Sequence, residues 1–150
     1  MPNLTMPDQK PKVVAQGGCQ CGAVRYSVER FGRSALCHCR MCQKAFGGLF
    51  GPLVEAYGVH WTGTPSYFSS SQRNRRGFCA KCGTPLSYEF DGGIEIAIGS
   101  LDDPEQAPPT FQVNVASQCS FFGSLSTLPP EDEANRLKNE AWNAGVVSNQ

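Results

Sequence analysis

Seven of the eight cysteines of this 150-residue chain lie in three short clusters, and no other feature constrains its fold as strongly. Two cysteines on one tight turn reach a single metal ion, and closely spaced pairs of this kind are typical zinc ligands. Distant segments of the chain are therefore expected to meet at shared ions. The clusters are Cys19-Gln-Cys21, Cys37-His-Cys39-Arg-Met-Cys42 and Cys79-Ala-Lys-Cys82, while Cys119 stands alone.

The first and third clusters together match a closed, structural zinc site. Such a site takes four tetrahedral ligands, which two cysteine pairs supply. Gly22 and Gly83 directly follow the two pairs, and glycine readily adopts the positive φ that such turns often need. We therefore expect a structural zinc on four metal ligands, Cys19, Cys21, Cys79 and Cys82.

The middle cluster predicts a second zinc with an open position. Its three sulfurs, from Cys37, Cys39 and Cys42, find no remaining cysteine pair that would complete a tetrahedron. Three protein ligands and one open position are what a catalytic zinc requires. An incoming thiol is a matched fourth ligand because zinc binds soft sulfur donors and deprotonates them near neutral pH. These three cysteines are therefore the predicted catalytic residues.

Spacing alone leaves other interpretations of the cysteines open. The middle cluster could consist of three buried cysteines beside a single four-cysteine zinc, or the clusters could share two zincs in a different combination. Wholesale disulfide bonding requires strained rings between neighbouring cysteines and an oxidising compartment. A thioredoxin-like role for either CxxC pair requires a βαβ context that the sequence does not show.

Charge and hydropathy exclude several classes of partner. Thirteen Lys and Arg residues balance thirteen Asp and Glu residues, so no net charge draws the chain toward nucleic acid or an anionic membrane. No apolar run approaches the roughly 20 residues that span a bilayer, and the N-terminal stretch does not resemble a signal peptide. We expect a cytoplasmic protein with no nucleic-acid and no membrane partner, whose cysteines stay reduced.

Short alternating segments predict a mainly β protein. Apolar residues occupy every second position within Ala23–Val28, Ile94–Ile98 and Thr110–Ala116, as they do in half-buried strands. The turn residues Asp91-Gly-Gly93 predict a hairpin between Leu86–Phe90 and the strand that begins at Ile94. No strong helix is expected before residue 130.

The remaining elements define the expected domain organisation. Leu53–Tyr57 and Val59–Thr62 are predicted as two short strands around Gly58, and Glu131–Trp142 as a short C-terminal helix with acidic residues early. The expected organisation is a flexible N-terminal arm over residues 1–12, a zinc-binding β domain over 13–128, and a helix and tail over 129–150.

Four ordered motifs resemble one protein family. They are Gly18-Cys-Gln-Cys-Gly22, Cys37-His-Cys-Arg-Met-Cys-Gln-Lys44, Phe78-Cys-Ala-Lys-Cys-Gly83 and Ile98-Gly-Ser-Leu-Asp102. In this order they resemble the glutathione-dependent formaldehyde-activating enzyme (GFA) family, which is similar to the centromere protein V domain. The resemblance spans roughly residues 17–125. It implies a zinc-binding β-tent fold of two antiparallel sheets, with the structural and catalytic zincs on the same two sets of cysteines.

The resemblance also implies a reaction. GFA-like members are carbon–sulfur lyases that add the glutathione thiol to formaldehyde, giving S-hydroxymethylglutathione, so glutathione and a small aldehyde are the implied partners. Many members carry a histidine where this chain reads Phe111-Gln-Val-Asn-Val115. This departure motivates the alternative, a non-catalytic zinc-binding module for a thiol ligand or a protein partner.

Glutathione carries two carboxylates, which cationic side chains near the zinc would bind. The candidates for substrate binding are Arg76 and Lys44, with Arg40 nearby and Gln43 as a partner for a peptide amide. The neighbouring residues Arg73 and Arg75 are expected to form a solvated charged turn.

Three remaining side chains are expected to play no part in catalysis. His38 lies between two predicted ligands, a position that directs it away from their metal, and His60 lies in a predicted strand. Cys119, beside aromatic residues, is expected to be a small buried hydrophobic side chain.

Overall fold

The computed structural model describes residues 12–147. Short 3-10 turns connect the last strands and precede the C-terminal helix. The strands and helices are β1 (Ala15–Gly18), β2 (Arg25–Cys37), α1 (Arg40–Phe46), β3 (Gly51–Thr62), β4 (Ser66–Ser69), β5 (Arg75–Phe78), β6 (Pro85–Phe90), β7 (Gly93–Ala97), β8 (Phe111–Val113) and α2 (Glu133–Asn143).

The protein is mainly β, as the alternating segments predicted, but its strands form one sheet. Seven strands follow the order β1-β2-β3-β7-β6-β5-β4 with antiparallel neighbours, and β8 adds to β2 in parallel. Hydrogen bonds thus connect all eight described strands. The two separate sheets implied by the resemblance are not confirmed.

The long strand β2 organises this sheet. Its first half pairs with β1 and its last residues pair with β8, while β3 runs along its other edge. The register against β3 shifts between Phe31 and Ser34, as at a β-bulge, which bends a strand and increases its twist. β2 ends at Cys37, and this cysteine of the middle cluster lies between β3 and β8.

The core forms where alternate residues of the central strands point to the same side. Val24, Tyr26 and Val28 are buried, as their alternation predicted, and they pack in one cluster with Val54 and Ile96. The Tyr26 hydroxyl lies 2.8 Å from the Ser100 Oγ, which itself donates to the Ala97 carbonyl. The cluster also includes Cys19 and Cys79, so the four-cysteine group is continuous with the core.

Several local predictions are wrong in informative ways. A helix, α1, occupies Arg40–Phe46, because the Cys39 sulfur accepts from the Cys42 N–H at its start and Gly47 ends it with φ 59°. This helix is too short to show a helical period. β3 runs unbroken through Gly58, whose φ is 63°. β8 ends at Val113, because Asn114 is left-handed and starts a 3-10 turn.

The hairpin of β6 and β7 is confirmed, and the C-terminal helix begins two residues later than predicted. Asp132 caps α2 by accepting from the Asn135 N–H, and the residues of this helix are exposed.

Nearly all of the predicted N-terminal arm lies outside the described residues. Within residues 12–147, no helix is both long enough and apolar enough to span a membrane.

Leu86→Ala tests the position of the core. Leu86 is fully buried, so its truncation leaves a cavity and is expected to lower the free energy of unfolding by about 2–5 kcal/mol. Leu137 on α2 is 53% exposed, and Leu137→Ala should change this free energy by less than about 0.5 kcal/mol. Urea denaturation of both variants at fixed zinc concentration measures the difference. Equal effects would contradict this description of the core.

Candidate metal centres and active site

The four cysteines of the first and third clusters form one group able to hold a metal ion. Their sulfurs all lie within 4.8 Å of one another, and Cys21 is 3.6 Å from Cys19 and 3.8 Å from Cys79. A tetrahedron with Zn–S bonds of about 2.3 Å has edges of about 3.8 Å, so the group fits zinc. A disulfide would need sulfurs about 2.05 Å apart, and all eight cysteines are free.

Two glycine-ended turns carry these ligands. Gly22 and Gly83 have φ of 78° and 79°, and each donates its N–H to the carbonyl of the first cysteine of its pair. Thr84 joins the turns, because its hydroxyl oxygen accepts from the Gln20 N–H and lies 3.2 Å from the Cys82 sulfur. The Thr84 hydrogen bonds lower the pKa of Cys82 to about 5, which favours the thiolate that a metal requires.

The middle cluster forms a second group at the start of α1. Cys37 ends β2, Cys39 caps α1 and Cys42 lies in its first turn, so one short loop gathers three sulfurs within 4.8 Å. A Cβ on Gly51 would lie 2.8 Å from the Cys42 Cβ, so the close approach of β3 requires glycine there. In the part of the chain that the structure describes, no fourth Cys, His, Asp or Glu joins the group. It can hold a metal with one position open.

Each sulfur of this open group has one N–H donor. Asn114 Nδ2 lies 3.2 Å from the Cys37 sulfur, the Cys42 N–H donates to Cys39, and Arg76 Nη2 lies 3.5 Å from the Cys42 sulfur. Asn114 has φ 56°, and among residues 12–147 it is the one non-glycine residue with positive φ. Strained residues of this kind concentrate at functional sites. These contacts orient the ligands and moderate their charge.

A pocket of about 360 Å³ is lined by the three cysteines, and a groove of about 490 Å³ lies beside it. Met41 and Arg76 line both spaces. Besides the cysteines, the pocket is lined chiefly by Arg33, Leu53, Tyr88, Glu95, Val113 and Asn114. The rest of the groove is lined by Arg40, Lys44, Ala45, Phe68 and Ser70.

The groove carries three cations without a carboxylate partner among the described residues. Arg76 Nε donates to Ser70 Oγ and its guanidinium lies 4.8 Å from the Tyr88 ring centre, while Arg40 donates to Gln43. Lys44 makes no ion pair within that part of the chain. The groove is thus suited to an anionic ligand.

The neighbouring arginines behave differently, in keeping with a charged surface turn. Arg73 and Arg75 pair with Asp91 and Glu89 at 3.9 and 2.7 Å. Their side chains are 82% and 52% exposed, so these charges are neutralised at the surface and leave little to attract a ligand.

The buried amide of Gln43 fixes α1 against the segment after β8. Gln43 is 4% exposed and donates to the carbonyls of His38 and Ser117, so its amide is engaged within the protein. His38 is fully buried and its Nε2 donates to Gln112 Oε1 at 2.7 Å. The role of Gln43 as a substrate contact stays a prediction.

His60 and Cys119, for which no catalytic role is expected, do not line the pocket. His60 is exposed and binds Glu29 at 2.7 Å. Cys119 is only partly buried, less so than its aromatic surroundings suggested.

Sequence reasoning identified Arg76 but missed Tyr88 and Glu95, which belong to the same row of side chains across the sheet. Glu55, Glu95, Tyr88, Arg76 and Phe68 are successive register partners on β3, β7, β6, β5 and β4. Directly opposed residues share one face of a sheet, so this register delivers Glu95 and Tyr88 to the cysteine pocket. Only the strand pairing, which is long-range, reveals them. For Asn114, the one local signal is the tolerance of asparagine for the left-handed region.

The model of one family, the glutathione-dependent formaldehyde-activating enzyme family, matches residues 14–117. The chain belongs to this family. The match covers both cysteine groups and the β8 strand, and it confirms the resemblance seen in the ordered motifs. No curated protein matches the chain.

Asn114→Gly tests the donor to Cys37. Glycine keeps the left-handed backbone and removes the amide, so zinc affinity at the open group is expected to fall about tenfold. Thr84→Val is the matched control, because it removes the hydroxyl beside Cys82 and should weaken only the four-cysteine group. Competition with a chromophoric chelator measures both affinities. An unchanged affinity of the open group in Asn114→Gly would show that the contact does not tune the metal.

Proposed function

We propose that this protein is a zinc-dependent carbon–sulfur lyase that adds the glutathione thiol to formaldehyde or another small aldehyde, giving S-hydroxymethylglutathione with formaldehyde. The observation that carries the proposal is the three-sulfur group that lines a pocket. Within residues 12–147 it has no fourth Cys, His, Asp or Glu ligand, and the three cations of the neighbouring groove form no ion pair. Membership of the family supports glutathione and formaldehyde as the pair of substrates.

All-cysteine donor sets of this geometry favour zinc. We assign a structural zinc to Cys19, Cys21, Cys79 and Cys82, and a catalytic zinc to Cys37, Cys39 and Cys42. At the open site, zinc would supply a Lewis acid that binds a soft thiol and lowers its pKa. The protein's own contribution is to fix three sulfurs on one loop and to moderate their charge through Asn114 and Arg76.

The groove explains how the body of the thiol substrate would bind. Arg76 and Lys44 suit the two carboxylates of glutathione, and Arg40 adds a third positive charge at the same edge. Met41 and Phe68 are 58% and 63% exposed and offer apolar contact to the peptide backbone between the carboxylates. Gln43 positions Arg40 by accepting from its guanidinium, which makes its contribution to binding indirect.

Thiol chemistry at two cysteine centres suits a reducing compartment, which supports the cytoplasm as the site of action. We propose that residues 13–128 form the zinc-binding domain, preceded by the N-terminal arm and followed by the C-terminal helix and tail. The four-cysteine group, the open group and the groove all belong to that domain.

Exchange NMR between free and glutathione-bound formaldehyde tests the reaction. Zinc-loaded wild type is expected to accelerate this exchange above the spontaneous rate, and Cys42→Ser should abolish the acceleration and remove about one zinc without unfolding the protein. Glutathione binding with no acceleration in wild type would instead support the alternative, a non-catalytic zinc-binding module.

Lys44→Gln tests the assignment of the groove. Lys44 makes no ion pair in the described structure, so removing its charge should weaken glutathione binding about tenfold and leave zinc content unchanged. Arg73→Gln is the control, because Arg73 is 82% exposed and already faces Asp91. Calorimetric titration with glutathione compares them, and equal affinities in the two variants would refute the groove as the carboxylate site.

A further inference from the structure

Among residues 12–147, Glu95 is the one carboxylate that lines the cysteine pocket. It lies on β7 directly opposite Glu55 on one side and Tyr88 on the other. Its side chain is only 15% exposed, although the pocket leaves it open to small molecules. A carboxylate in this position faces whatever occupies the space above the three sulfurs.

The surroundings of Glu95 differ from those of an equally buried carboxylate on the next strand. Glu89 is also 15% exposed, but Arg75 Nε and Nη2 bind it at 2.8 and 2.7 Å and Ser87 donates to it. For Glu95 the nearest cation is Arg33 Nε at 3.9 Å, and no hydrogen bond to its carboxylate forms within the described residues. Glu95 therefore retains the capacity to bind a proton or a hydroxyl group.

The surroundings of Glu95 raise the affinity of its carboxylate for a proton. Burial raises the pKa of Glu95, the charge of Glu55 raises it further, and Arg33 opposes both. From β6, Tyr88 faces it with its hydroxyl bound by Asn74, and burial raises the pKa of that phenol. Arg76 reaches the pocket from β5 and adds a second guanidinium beside Arg33. A carboxyl group whose pKa is raised in this way is better able to exchange a proton with a ligand in the pocket.

We infer that Glu95 is the general acid–base of the reaction, an inference that rests on the proposed function. Glu95 accepts the proton that the substrate thiol loses. The sulfur electron pair then forms the C–S bond while the carbonyl π bond breaks toward oxygen. Glu95 returns the proton to that oxygen, which gives the hydroxymethyl product and regenerates the carboxylate. The reverse reaction begins when Glu95 removes the hydroxyl proton, so the step needs no further reactant.

The pocket has no histidine among its lining residues, and Glu95 can serve as the acid–base group in place of one. His38 is buried and donates to Gln112, and His60 lies on the surface. General acid–base catalysis needs a group that titrates within reach of the substrate, and a half-desolvated carboxyl group meets that need as well as an imidazole.

The test compares Glu95→Gln with Glu89→Gln, two carboxylates of equal burial. Glu95→Gln should keep its zinc content and its glutathione affinity while the acceleration of formaldehyde exchange falls about a hundredfold. Glu89→Gln should keep the wild-type acceleration. Wild-type acceleration in Glu95→Gln, or an equal loss in both variants, would overturn the inference.

A second measurement does not depend on turnover. Calorimetric titration of glutathione in two buffers of different ionisation enthalpy counts the protons released on binding near neutral pH. Wild type should release almost none, because Glu95 takes the thiol proton, and Glu95→Gln should release about one. A wild type that fails to accelerate exchange but shows this difference would overturn the lyase proposal and leave the role of Glu95 as proton acceptor. Equal proton release in both proteins would overturn that role.

Discussion

Four cysteine sulfurs held within 4.8 Å of one another repel when they ionise, and a divalent cation is what offsets that repulsion. They come from the turn between β1 and β2 and the turn between β5 and β6, which are well separated in the order of strands. The sheet must curl to bring these turns together. Cys19 and Cys79 belong to the same buried cluster as Val28 and Ile96, so a metal bound by the four sulfurs would stabilise the core packing, and the packing would stabilise the metal site.

The second cysteine group relies on the sheet for its surroundings but does not link distant parts of the sheet. Its sulfurs lie on a single loop, so the sheet is needed only to place other groups around them. β3 lies against Cys42 at Gly51, β8 carries the chain to Asn114, and the register of β5 to β7 delivers Arg76, Tyr88 and Glu95. In the proposed function, a metal in the first group would hold the fold together, and a metal in the second would keep one coordination position for a ligand.

Structural features set by a few neighbouring residues could be predicted from the sequence. Of the long-range contacts, only those between the cysteine clusters could be predicted. Metal-ligand spacing groups seven cysteines correctly in space, and Asp91-Gly-Gly93 marks a real hairpin, because both signals act over a few residues. Helix α1 escaped detection because a sulfur cap and Gly47 bound only two turns. The single sheet and the placement of Glu95 beside the cysteines follow from strand pairing, which periodicity does not encode. The left-handed Asn114 lies just beyond β8, where the alternating pattern predicted that the strand would continue.

The central claim is that one cysteine group is closed and the other open, and zinc K-edge X-ray absorption tests it most directly. Protein loaded with two zinc ions per chain should show about 3.5 sulfur ligands per zinc, the mean of a four-sulfur and a three-sulfur site. Saturating glutathione should raise this number to about four as its thiol fills the open position. One zinc per chain, or a sulfur count that glutathione does not change, would contradict the account.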